Sequence, residues 1–154
     1  MGAGPAERLR SLGLELPAPP KPAGSYAPVV QTDGMAWVSG QIAVREGQVL
    51  HPGLVGRDVD IPTAQQVARI ATLQALSALH ATLGSLDRVR QILRVTVYVA
   101  SAPGFDRQHE VANGATELLI AVFGEAGRPT RVSVGVVALP LNAPLEVELL
   151  ARTG

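Results

Sequence analysis

Two ionisable residues stand out for the company they keep. Arg131 follows Gly127-Arg128-Pro129-Thr130 and opens a β-branched strand, where a planar guanidinium can present its fork to a carboxylate or serve as an ordinary strand-end charge. Glu146 sits among Leu145, Val147 and Leu149. Such surroundings can desolvate a carboxylate, raise its pKa and suit it to proton transfer, or it can pair with a cation across an interface. Glu148, two residues on, reads as an outward or interface ion pair. Ser39-Gly40-Gln41 ends a strand, where glycine permits close backbone approach and bare amides can hold an anion; a plain turn is the competing reading. Tyr26 can offer a hydroxyl to a ligand or pack at a sheet edge. Asn113, on a helix, can reach an interface or point to solvent.

Other chemistries are excluded or weak. The chain has no cysteine, so thiolate catalysis, disulfides and iron–sulfur clusters are out. Its three histidines, His51, His80 and His109, form no H-x-x-x-H pair, and a metal-free function is expected. No G-x-S-x-G, phosphate-loop or dinucleotide fingerprint occurs.

The length of 154 residues fits one domain, and 13 basic residues balance 13 acidic ones. No basic footprint suits a nucleic-acid backbone or an anionic membrane. Glu7, Arg8, Arg10 and Glu15 interrupt the first residues, so no signal peptide or membrane anchor is read there and a cytoplasmic location is expected. Charged residues make up 17% of the chain against about 25% in ordinary soluble domains, which predicts surface hidden against copies of itself.

These residues need a frame. Residues 6–14 predict a short amphipathic helix, and the prolines of 17–22 an extended lead-in. Strands are predicted at 26–30 and 35–42 around an Asp33-Gly34 hairpin turn, with a further tight turn at Glu46-Gly47. A long helix runs from a Thr63 cap with Gln66 as its capping-box partner to Gly84. Strand 89–99, helix 104–123 and strands 131–139 and 144–151 complete an α+β order of ββ(β)αβαββ. Two helices cannot cover both faces of the sheet, so a mixed sheet with both helices on one side is predicted. Alternation then sends Leu145, Val147, Leu149, Val132, Val134 and Val136 to the helices. Arg131, Ser133, Gly135, Glu146 and Glu148 fall together on the helix-free face.

Ser39-Gly40-Gln41, Asn113, Pro129-Thr130-Arg131 and the closing stretch from Val134 to Glu148 together resemble the reactive intermediate deaminase (Rid, formerly YjgF-like) family, over nearly all of residues 26–151. The resemblance implies a chorismate-mutase-like α+β fold, assembled as a homotrimer around a central barrel with three clefts between subunits. It implies cofactor-free hydrolysis of 2-enamines and 2-imines, such as 2-aminoacrylate and 2-iminopropionate, to 2-keto acids and ammonia. By position, Arg131 matches the arginine that grips the substrate carboxylate and Glu146 the glutamate that handles the attacking water. Tyr26 matches a cleft tyrosine, Gly40 the glycine beside the ligand, Ser133 a site usually held by cysteine, and Asn113 a helix asparagine near the cleft. Two departures are visible: Pro-Thr-Arg-Val in place of the common Pro-Ala-Arg-Ser, and an N-terminal extension, residues 1–25, that can lie over the cleft and change which substrate fits. Both look like a less characterised bacterial branch. The alternatives are a non-catalytic member that binds a small carboxylate through Arg131, a chorismate-mutase-type reaction needing more cationic groups, and a ribonuclease, which the charge balance disfavours.

Overall fold

The computed structural model describes residues 2–154. Helix α1 (Pro5–Ser11) is followed by an extended strap and then by strands β1 (Val29–Thr32) and β2 (Met35–Gln41). The turn between them has Asp33 and Gly34 both at positive φ, 49° and 73°, the geometry that matches strand twist in two-residue hairpins. A small hairpin, β3 (Val44–Arg45) and β4 (Gln48–Val49), turns at Glu46-Gly47. Helix α2 (Ile61–Leu83), strand β5 (Val89–Ala100), helix α3 (Gln108–Phe123), strand β6 (Thr130–Val136) and strand β7 (Leu145–Thr153) follow. The main sheet runs β1-β2-β7-β5-β6, antiparallel except for the parallel β5–β6 pair that α3 connects.

Helix α2 starts earlier than its sequence signature suggests. Asp60, not Thr63, is the cap: its carboxylate accepts the Thr63 backbone N–H at 2.8 Å, and Pro62 occupies the first turn, where no intrahelical donor is needed. The helix stops at Gly84, whose φ of 81° takes the left-handed conformation expected of a C-terminal glycine. Helix α3 begins at Gln108 rather than 104, because Gly104 at φ 79° still belongs to the loop.

Both helices pack on one face of the sheet. Ala36 and Val38, Val95, Val97 and Val99, and Leu145, Val147 and Leu149 are buried beneath them. One prediction fails here. Val95, Val97 and Val99 lie opposite Arg131, Ser133 and Gly135, so these three point to the helix side and Val132, Val134 and Val136 to the open side. On the helix side Arg131 is held by Asn113, Thr116 and the His109 carbonyl of α3, and Gly135 leaves room for the Gln108 and Ser101 side chains, whose ends a Cβ there would meet at 2.9 and 3.0 Å. The open face is itself apolar, with Val30, Trp37 and Val134 each exposed by 40% or more, which is why valine pattern alone misassigned the strand.

The N-terminal segment is part of the body. Leu9 of α1 is buried in the core, Leu14 and Leu16 pack against it, and the Ser77 hydroxyl of α2 donates to the carbonyl of Pro17.

The two helices touch most closely at Gly114, where a Cβ would overlap the backbone carbonyl of Gln65. Gly114→Ala therefore forces α2 and α3 apart, and is expected to destabilise the fold by about 1–3 kcal/mol. A lowered urea midpoint at unchanged m-value would report it.

Candidate active site

Glu146 lies on the open face of central strand β7, beside β2. The β2–β7 register slips between Val38 and Gln41, so three steps of β2 span two of β7, as in a β-bulge. Gly40 sits in that irregularity. A Cβ there would collide with the Glu146 carboxylate, so glycine lets the acid lie against bare backbone. Ser39-Gly40-Gln41 is thus strand, not turn. The Ser39 hydroxyl donates to the carbonyl of Ala27 at 2.7 Å and its N–H to that of Pro28; the Gln41 amide donates to the Ser39 carbonyl.

The Glu146 carboxylate is half-buried. Burial pushes its pKa above the ordinary glutamate range, and the negative charge of Glu148 adds to the shift. Within the chain, Glu148 accepts the Tyr98 hydroxyl at 2.7 Å. That hydrogen bond, with burial second, makes the phenol harder to ionise. Glu146 opens onto a cleft of about 510 Å³ whose walls include Pro20, Tyr26, Gly40 and Leu141. Tyr26 precedes β1 in a bend rather than standing in a strand, and its hydroxyl accepts the Ala23 N–H.

Arg131 belongs to a second group. Its Nη1 donates to Asn113 Oδ1 at 2.8 Å and Thr116 Oγ1 at 3.2 Å, and its Nη2 to the His109 carbonyl at 3.2 Å. Asn113 and Thr116, one turn apart on α3, hold the guanidinium. Among the described residues, ion pairs engage Arg57, Arg107 and Arg128 but not Arg131. With five N–H donors on the group, these contacts leave Nε–H and one Nη2–H, the side-on fork that fits a carboxylate. Ser133 lies two residues along the same face.

The structure therefore unites Arg131 with Asn113, and Glu146 with Gly40 and Tyr26, but keeps the two groups apart. Glu146 pairs with Tyr98, and Arg131 with Val95. Two strand spacings and three residue steps separate their backbones, about 14 Å, on opposite faces of the sheet. The sequence reading missed Thr116, Tyr98 and Leu141. The i, i+3 spacing of Asn113 and Thr116 was the available signal for the first; nothing local marked the other two. Among the described residues no cluster of three or more His, Cys, Asp or Glu is arranged to hold a metal ion, and no helix is long and apolar enough to cross a membrane.

An edge-lying arginine fork, a desolvated carboxylate against glycine and a one-sided sheet define a class, and comparison with known proteins agrees. The family model described as "YjgF/chorismate_mutase-like, putative endoribonuclease" matches residues 6–153. The chain belongs to this YjgF/RutC (Rid-like) family and has its chorismate-mutase-like fold. Protein TCP17 of Trypanosoma cruzi is 40% identical over 148 residues, covering 96% of this chain and 92% of that protein. A crystal structure titled as a putative endoribonuclease from Shewanella oneidensis superposes with a TM-score of 0.94 at 32% identity, over 97% of this chain and 99% of that one. The E. coli protein TdcF, solved with bound serine, superposes with a TM-score of 0.62 at 26% identity, over 89% of this chain and 94% of that one.

Glu146 is expected to titrate above an ordinary glutamate in carboxyl-carbon NMR, and Glu148→Gln, which removes the smaller, charge-based cause, to lower it only part of the way. Because the folded chain then holds this proton more tightly than the unfolded one, stability should decline as pH rises from the ordinary glutamate value through the raised one. Glu146→Gln should abolish that part of the stability–pH curve.

Proposed function

We propose that this protein hydrolytically deaminates reactive 2-imino acids and their 2-enamine tautomers, giving 2-keto acids and ammonia, in clefts between subunits of a homotrimer. The observation that carries the reading is Glu146: a half-buried carboxylate with a raised pKa, seated on Gly40 in a cleft that opens beside Tyr26. A carboxylate with a raised pKa is a stronger base than an ordinary one and better suited to taking a proton. The side-on fork of Arg131 supplies what a small carboxylate needs, and a relative solved with bound serine supports a ligand of that size and type.

The two groups act on one substrate only if they come from different copies. The open apolar face, with Trp37 and Val134 exposed, is the surface that copies would bury, closing three sheets into a barrel. Each cleft would then take Arg131, Asn113 and Ser133 from one subunit and Tyr26, Gly40 and Glu146 from the next.

The chemistry follows from those positions. Arg131 fixes the carboxylate and with it the adjacent imine carbon. Glu146, ionised, takes a proton from water as the water oxygen adds to that carbon, forming a tetrahedral carbinolamine. With the imine bound in its N-protonated form that carbinolamine is neutral. Glu146 then gives its proton to nitrogen as the C–N bond breaks and takes the hydroxyl proton as the C=O bond forms. That proton leaves with the ammonia as ammonium, the keto acid remaining. No cofactor enters. The reading that needs Arg131 alone, a small-carboxylate binder without turnover, rests on the fork's readiness independent of Glu146.

The test generates 2-iminopropionate and 2-iminobutanoate with an amino-acid oxidase and follows trapping by semicarbazide. Wild type should deplete the imine before it is trapped. Arg131→Ala should lose binding and activity, and Glu146→Gln should keep carboxylate binding and lose turnover by 10²-fold or more (~10²–10⁴ for a removed acid–base group). Co-assembling the two variants in equal amounts should restore about a quarter of the clefts, because a cyclic assembly then pairs intact halves at random. Full activity of Arg131→Ala would refute the site, and binding without turnover in wild type would favour the carboxylate binder.

A further inference from the structure

The cleft beside Glu146 extends well past the acid, and the wall that extends it is made by the N-terminal strap. Ala18, Pro20 and Pro22 line one side, and Ile42, Val44 and Leu141 contribute elsewhere. The strap is fastened at both ends. Ser77 binds the Pro17 carbonyl, and Ser39 binds that of Ala27. Prolines between those anchors have little freedom left to lose, so the wall is preformed and costs little order when a ligand enters.

Leu141 is a second unusual feature. It is 74% exposed, and it and Asn142 both sit at positive φ, 58° and 59°. A leucine in this conformation is strained, and no burial within the chain repays it. Its apolar surface is displayed at the cleft.

The polar groups of the cleft are few, and several are partly engaged within the chain. Gln41 and Gln74 spend amide hydrogens on the carbonyls of Ser39 and Val44, and the Tyr26 hydroxyl already accepts from Ala23. A substrate with a polar side chain would leave hydrogen-bonding groups unpaired there, which costs discrimination against it. A hydrocarbon side chain would cover Pro20, Pro22, Ile42 and Leu141. At about 510 Å³ the space lies in the range that takes ligands much larger than a three-carbon acid, roughly 300–1,000 Å³.

We infer that the strap and Leu141 form a specificity chamber that selects 2-imino and 2-keto acids carrying a hydrocarbon side chain of four or more carbons. This rests on the proposed reaction at Glu146 for the identity of the reacting group, but binding tests it separately. Lys21 is the one cation lining the cleft among the described residues, so an acid-bearing side chain is the sharpest competitor.

Calorimetric titration of the full-length protein with pyruvate, 4-methyl-2-oxopentanoate and 2-oxoglutarate, beside turnover of the imines made from alanine, leucine and glutamate, decides it. The branched keto acid is expected to bind at least ~10-fold tighter than pyruvate, since each buried methylene gains severalfold. Leu141→Ala, at an exposed position, and Ile42→Ala should each shrink that ratio about threefold or more. Equal affinities, or tightest binding of 2-oxoglutarate, would overturn the chamber. Selective binding of the branched acid with no turnover of any imine would overturn the deaminase and leave the chamber standing; turnover of all three imines at one rate, with no selectivity in binding, would do the reverse. Failure of all three keto acids to bind together with no turnover of any imine would overturn both.

Discussion

Everything in this molecule depends on a five-stranded sheet that has helices on one face only. Period-two alternation then obliges each strand to write two unlike surfaces into one sequence. Strand β7 does this most plainly: Leu145, Val147, Leu149 and Ala151 are buried under the helices, while Glu146, Glu148, Leu150 and Arg152 take the other side. The open side mixes apolar groups with ionisable ones. A surface of that kind is a poor match for water and a good one for another protein surface, which is how carboxylates come to stand among valines and a tryptophan without a helix above them.

Much of this was readable from residue order. The long stripe of α2 with its glycine stop, the Asp33-Gly34 hairpin and the alternation of β7 each carry a strong local signal, and each element formed where that signal lay. Strand β6 was misread because both of its alternatives were apolar enough to satisfy a hydrophobic pattern. Its facing is seen in its register with β5 and in the contacts of Arg131 with α3, tertiary relations with no trace in the strand's own apolar alternation. The same limit explains the site. Arg131 and Asn113 could be paired because both match a family pattern. That they sit across the sheet from Glu146 follows only from strand order, and strand order is settled by packing.

The polar contacts divide into those that hold the frame and those that leave something over. Ser39 and Ser77 spend their hydroxyls on carbonyls of the strap, and Tyr98 spends its own on Glu148. Arg131 and Glu146 differ. The first is gripped by three acceptors yet keeps two donors in hand, and the second accepts no side-chain hydrogen bond among the described residues while being partly stripped of water. A buried or half-buried ionisable group without a full set of partners is a cost to the fold. It persists where something else repays it, and here Arg131 lies on the sheet's edge strand and Glu146 on its uncovered face.

The order β1-β2-β7-β5-β6 places the last-made strand in the middle of the sheet. Until β7 enters, the β1–β2 hairpin and the β5–α3–β6 unit share no ladder, and each offers an unpaired edge. Sheet completion is therefore a late, non-local event, of the kind that raises contact order and slows folding. It also means that the strand which welds the two halves is the one bearing Glu146. A chain stalled short of it has neither a continuous sheet nor that carboxylate, and it leaves the edges of β2 and β5 unpaired, the kind of edge that invites pairing with another chain.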